Sequence, residues 1–149
     1  MSHNTIVIYA ADDATNSQTV KEAKAGGAIT AGMLVERNGD NVRAHSTANG
    51  TASKLFALEN LAIGGGVDST YAAGDTVRFQ AMRTGMIVYA LVSAGTGAIA
   101  KNAFIASHGD GTVQESAAAP DDNKVFAQAL EAVDNSGGSA SVRIKLEIL

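Results

Sequence analysis

The sequence contains no cysteine and no tryptophan, a single proline at Pro120, and only three tyrosines and four phenylalanines. The missing cysteines exclude disulfides, iron–sulfur clusters, thiolate zinc sites and cysteine nucleophiles together. No apolar run approaches the ~20 residues that a membrane-spanning helix needs. The N-terminus, Met1 to Thr5 followed by Ile6-Val7-Ile8-Tyr9, has neither the basic region nor the long apolar core of a secretion signal. Fifteen acidic residues against eleven basic ones leave a net charge of −4, and the basic residues are scattered. Nucleic-acid affinity rests on Lys and Arg neutralising phosphates, so no direct nucleic-acid partner is expected. What the chain has in quantity is glycine and alanine. Small side chains and glycine turns suit many short strands better than a helical bundle. At 149 residues, a folded chain buries about two-thirds of the surface its unfolded form exposes, so it needs no metal or disulfide to fold, and no cofactor is expected.

Two halves of the sequence resemble each other. Gly27-Ala28-Ile29 matches Gly97-Ala98-Ile99, Leu34-Val35 matches Phe104-Ile105, Gly39-Asp40 matches Gly109-Asp110, and Lys54-Leu55-Phe56-Ala57 matches Lys124-Val125-Phe126-Ala127, all at an offset of 70 positions. Val77-Arg78-Phe79 resembles Val142-Arg143-Ile144 at an offset of 65, which gives the first copy about five extra residues, placed in the loop around Gly64-Gly65-Gly66. Ordered matches of this kind indicate an internal duplication of a unit of about 70 residues, spanning 25–83 and 95–149.

The unit reads as β. Val142 to Ile148 alternates apolar and charged residues, the period-2 pattern of a strand with one face in a core, and Val77 to Met82 begins the same pattern. Met86 to Val92 is continuously apolar, as in a strand buried on both faces. Gly39-Asp40, Gly74-Asp75 and Gly109-Asp110-Gly111 fall between apolar segments as turns. Val125 to Val133 and its counterpart Leu55 to Leu61 are compatible with helix or strand; their turn-rich surroundings favour strand. The expected fold class is mainly β: a compact β-sandwich or barrel-like domain over 25–149, preceded by an extended N-terminal arm over 1–24. Residues 10–24 are polar without a persistent apolar face, and only Ile6 to Tyr9 is β-prone.

No catalytic, cofactor-binding or metal site emerges. His3, His45 and His108 lack partners at metal-ligand spacing and read as surface or loop residues. Asp12-Asp13 and Asp121-Asp122 lack the alternate spacing of a calcium loop and read as solvated charges. Gly64-Gly65-Gly66 runs into Val67-Asp68-Ser69-Thr70, whose carboxylate would repel phosphate. No Gly-x-Ser-x-Gly elbow occurs, so an enzyme is not expected.

The run Ala25-Gly26-Gly27-Ala28-Ile29-Thr30-Ala31-Gly32-Met33-Leu34-Val35 with its Gly39-Asp40 turn resembles the opening of head decoration (cement) proteins of tailed bacteriophages. Lys54 to Glu59, Tyr71 to Val77 and Ala129 to Gly138 before the final alternating strand extend the resemblance from about residue 20 to the C-terminus. It implies a structural virion protein made in the host cytoplasm and placed on the outer surface of the capsid. It further implies a homotrimer with the major capsid protein as partner, no membrane, and an N-terminal arm that engages the shell. Thr5, Ile6, Val7, Ile8 and Tyr9 are then the capsid-contact candidates: the segment adds a strand to an exposed capsid sheet edge, or it is the first strand of this domain or its oligomer. The same Ala-Gly-x-x-Ile-Thr-x-Gly-Met-Leu-Val phrase is also similar to the hairpin of SAF or β-clip domains, which implies a sugar-binding pocket with convergent polar groups. A tail or fibre component is a third reading.

Overall fold

A computed structural model describes residues 3–9, 20–117 and 123–149. Asp12-Asp13, Pro120 and Asp121-Asp122 lie outside the described residues. Within these, the chain is mainly β, with strands β1 (Val7–Tyr9), β2 (Val20–Ala25), β3 (Ile29–Thr30), β4 (Leu34–Asn38), β5 (Asn41–Ala44), β6 (Leu55–Ala57), β7 (Thr70–Tyr71), β8 (Thr76–Ala81), β9 (Ile87–Val92), β10 (Phe104–Ser107), β11 (Val113–Glu115), β12 (Ala127–Ala129) and β13 (Val142–Ile148). One short 3-10 turn, Leu61–Ile63, interrupts them.

The strands close into two barrels of the same topology. In the first the order is β2-β5-β4-β6-β8, with β8 closing on β2; in the second it is β9-β11-β10-β12-β13, with β13 closing on β9. Each has one parallel pairing at the corresponding place, β2 with β5 and β9 with β11. The duplication is therefore visible in the ladders. β4 and β10 keep the offset of 70, since the turns that lead into them match at that offset, Met33 amide to Thr30 carbonyl and Ala103 amide to Ala100 carbonyl; Leu34 then pairs with Phe56 and Phe104 with Gln128.

Three assignments made from the sequence change. Leu55-Phe56-Ala57 occupies the place of Ala127-Gln128-Ala129, so the Phe56–Phe126 match is two residues out of register. Val77 faces Ala23 while Ile144 faces Ala90, so this match too is two residues out. A slip of two leaves every side chain on its original face, so hydrophobic patterning cannot detect it. Finally, residues 20–24, expected in the arm, belong to β2, whose counterpart is the apolar β9. The two copies thus begin at β2 and β9. Resemblance failed there because β2 is largely exposed whereas β9 is mostly buried.

The first copy is longer between β6 and β7, as expected around the glycines. Fourteen positions separate Ala57 from Tyr71, against four between Ala129 and Val133, the residue that makes the matching bridge to Ile99. Part of the difference is returned before β8.

Burial follows the period of two. Val35, Leu55 and Ala57 point into the first barrel with Ile29, Val42, Tyr71, Val77 and Phe79. Their neighbours Leu34 and Phe56 point outward and join the core of the second barrel, with Ile105, Val113, Phe126 and Leu146. The Phe56 and Phe126 rings lie 6.1 Å apart across this junction. The adjacent apolar residues Leu34-Val35 of β4 and Leu55-Phe56-Ala57 of β6 thus occur where both faces of the strand are covered.

Candidate functional site

The residues expected to carry the function, Thr5 to Tyr9, are placed by β9. β1 runs antiparallel to it, with Val7 opposite Val88, Tyr9 opposite Ile87 and an irregularity between the two pairs. The anchor is Ile6. It is fully buried in the second barrel's core, its amide donates to Glu59 Oε1 at 2.6 Å, and its carbonyl accepts from the Tyr89 amide at 2.8 Å. Thr5 is exposed, and its hydroxyl donates to the Val7 carbonyl at 3.0 Å. Val7 and Ile8 are half-buried. Seated this way, the segment is the first strand of the chain's own second barrel, with Ile6 committed to that core. The His3 ring meets the Tyr89 ring edge-on at 5.4 Å.

The seat of β1 on β9 is tied to the first half of the chain by a second-barrel group that sequence reasoning passed over. Arg143, on β13, has a side chain only 8% exposed. Its guanidinium donates to the carbonyls of Ala31 at 3.0 Å and Tyr89 at 3.3 Å, and to that of Val67. It also stands 3.4 Å from the Asp68 carboxylate and 5.6 Å from the Tyr89 ring centroid. Burial pushes the Arg143 pKa down, and Asp68 partly opposes that. The sharp turn into the site needs Gly32. Its φ is +87°, and a Cβ there would strike the Arg143 guanidinium, lie 2.7 Å from the Tyr89 carbonyl oxygen and crowd Ile6 Cδ1 at 3.2 Å. No local sequence signal marked it: Arg143 holds a charged position of a regularly alternating strand, where a solvated side chain is the ordinary reading.

A second clasp joins the barrels at His45, which is buried, against expectation, because the chain leaving β5 runs into the junction. His45 Nε2 lies 3.1 Å from the Thr51 carbonyl, an acceptor only, so Nε2 carries the proton. Nδ1 then accepts from the Ser107 hydroxyl at 2.7 Å, and that oxygen accepts from the Gly109 amide at 3.1 Å. Glu36 Oε2 stands 3.7 Å from Nε2. This run of serine, histidine and carboxylate has the members of a nucleophilic triad, but Ser107 is fully buried and its hydroxyl is closed to a substrate. Its chemical role is to satisfy polar groups within the junction. Burial works to raise the Glu36 pKa, yet hydrogen bonds from Ser46 and Arg43 and the nearby positive charges hold it below the usual carboxylate range.

Elsewhere on the described surface, the 3-10 turn exposes Leu61 and Ile63. His108 is partly exposed, 3.3 Å from Asp110 in the β10–β11 turn. A shallow concavity of about 250 Å³ is lined by Asn60, Ala62, Ile63, Asp75 and Thr76. Its carboxylate is already engaged, with Asp75 Oδ2 accepting from the Ala72 amide at 2.8 Å. Among the described residues no three His, Asp or Glu side chains converge as metal ligands, and no helix is long and apolar enough to cross a membrane.

No family model and no curated protein matches the chain. Among solved structures, the chain is similar to the N base of the head fibre protein gp8.5 of bacteriophage phi29, with a TM-score of 0.57 over 89% of this chain and 94% of that one. The two sequences are 17% identical, so what they share is the fold: nearly the whole of each chain follows the same course.

Proposed function

We propose that this chain is a non-enzymatic structural protein of a bacteriophage virion, which binds the outer surface of the capsid as a homotrimer and stabilises it through contacts with the major capsid protein. The observation that carries the reading is the fold shared, nearly end to end, with a phage head fibre base. The resemblance of the Ala25–Val35 run and later segments to head decoration proteins points the same way. The physical logic is multivalent. Each contact of one subunit with the shell can be modest, because once the first forms the others act at high effective concentration. With β1 seated on β9, the attachment surface is presented by rigid barrels, so little ordering entropy is lost on binding.

The head fibre likeness favours one second reading, in which the chain anchors a fibre and leaves shell stability unchanged. Mixing the purified protein with expanded, undecorated capsids separates the two. Cementing predicts co-sedimentation with a raised capsid melting temperature, and a fibre base predicts co-sedimentation alone. A chain that stays in the supernatant as a monomer refutes both.

A further inference from the structure

The two barrels are equivalent in topology but not in what covers them. In the second barrel, β9 pairs along its length with β13 on one side. On the other side, β11 reaches only Val92, and β1 covers Ile87 and Val88. In the first barrel, β2 pairs along its length with β8, and β5 reaches only Lys24 and Ala25. No strand among the described residues covers Val20–Ala23, the place that corresponds to the β1 seat.

The open edge carries backbone groups aimed outward. Leu58 takes the Arg78 carbonyl at 2.8 Å, so Arg78 points its main-chain groups toward β6 and away from β2. Glu22, opposite Arg78, therefore makes a non-hydrogen-bonded pair and turns its own N–H and C=O to the free side. The same parity holds in the second barrel, where Leu130 takes the Lys145 carbonyl and the Tyr89 amide, opposite Lys145, donates to Ile6 of β1. Val20, the counterpart of Ile87, is left 38% exposed, with Leu61 and Ile63 one of three large exposed apolar side chains among the described residues. Unpaired edges of this kind are templates for an added strand.

Counting the described strands narrows what can fill the edge. Among the described residues each chain has two equivalent edges, on β9 and on β2, and one β1; two β2 edges pair with each other only about a two-fold axis, which the proposed trimer lacks. Exchange of β1 between copies fills one edge only by emptying another, and it gives up the burial of Ile6. An assembly of β1 strands from this chain alone therefore leaves one edge per subunit open. We infer that the Val20–Ala23 edge of β2 is the docking site for an extended segment of a different protein, running antiparallel to β2 as β1 does to β9, with an apolar side chain over Val20. On the proposed function, on which this identification rests, that segment belongs to the major capsid protein.

The test compares wild type, Glu22→Pro and Glu22→Gln for binding to expanded, undecorated capsids, with backbone hydrogen exchange of residues 20–24 measured free and shell-bound. Proline at 22 removes the outward donor and blocks an approaching strand without costing a β2–β8 hydrogen bond; glutamine keeps the donor and removes the charge. The expected result is binding weakened about tenfold or more by Glu22→Pro, wild-type binding by Glu22→Gln, and slowed exchange at 20–24 on the shell. Equal binding by a folded Glu22→Pro overturns the edge and leaves the capsid reading standing. Should Glu22→Pro not fold, unchanged exchange at 20–24 in bound wild type does the same. A free-chain dimer that Glu22→Pro abolishes puts a second copy on the edge and also overturns it. Wild type that does not bind capsids refutes the proposed function, and this occupant with it.

Discussion

Replacing Ile6 with alanine should cost this chain far more stability than its position near the N-terminus suggests. The side chain is fully buried against the second barrel's core and the Gly32 turn. Truncating a buried isoleucine to alanine costs about 2–5 kcal/mol through lost transfer energy and an unfilled cavity. β1 is three residues long and cannot hold itself in place, so loosening Ile6 also weakens its amide bond to the Glu59 carboxylate; we expect about 3 kcal/mol in all. Urea unfolding followed by circular dichroism is the assay. With an m-value of about 2 kcal/mol/M, the midpoint should fall by about 1.5 M, and the melting temperature by roughly 6–12 °C. Ile8→Ala, at a half-buried position, is the internal control and should lose less than half as much. Equal losses at the two positions, or a loss below about 0.5 kcal/mol at Ile6, would refute the reasoning that Ile6 anchors the strand.

Three further outcomes follow from the junction. Gly32→Ala should destabilise by about 3 kcal/mol, since the left-handed backbone alone costs a residue with a Cβ about 1–2 kcal/mol and the new methyl displaces Arg143; a melting temperature within 2 °C of wild type contradicts this (roughly half a kcal/mol). Arg143→Met should cost about 3 kcal/mol by stranding the Ala31, Val67 and Tyr89 carbonyls, whereas Asp68→Asn, at a side chain 92% exposed, should stay within about 0.5 kcal/mol; equal effects would mean that the ion pair holds the clamp. Glu36 and Asp110 both ionise below their ordinary values when folded, Asp110 because the Thr112 hydroxyl and amide and His108 outweigh the effect of burial. Their contribution is full above the unfolded carboxylate range of about 3.9–4.3 and is lost as pH falls through the folded values. Denaturation midpoints between pH 6 and pH 3 should therefore fall less steeply in Glu36→Gln/Asp110→Asn than in wild type.

Strand content, turns and duplication were legible because they are written in local chemistry: alternation in Val142–Ile148, Gly-Asp pairs between apolar runs, and the matched Gly-Ala-Ile and Leu-Val segments. Register was not, because Phe56 aligns with Phe126 by identity while the ladders place Gln128 opposite the equivalent backbone. The two matched rings instead meet each other at the junction. β2 was hidden for the opposite reason. A strand with an open edge and an exposed face has no apolar pattern to show, so Val-Lys-Glu-Ala-Lys-Ala reads as arm until β8 pairs with it. Ile6 looked free because nothing in its neighbours encodes the slot that Gly32, Glu59 and Tyr89 build around it from distant parts of the chain. The buried His45 and Arg143 share that origin: both are made by the meeting of two barrels, which no single segment records.

The central claim, attachment to the outside of a phage head, is tested most directly by imaging. Expanded, undecorated capsids are incubated with the purified chain, washed and reconstructed by electron cryomicroscopy. The account predicts added density on the outer face into which the two barrels fit as one rigid body, arranged about local three-fold positions. A reconstruction identical to that of the untreated capsid, with the chain recovered in the wash, would contradict it.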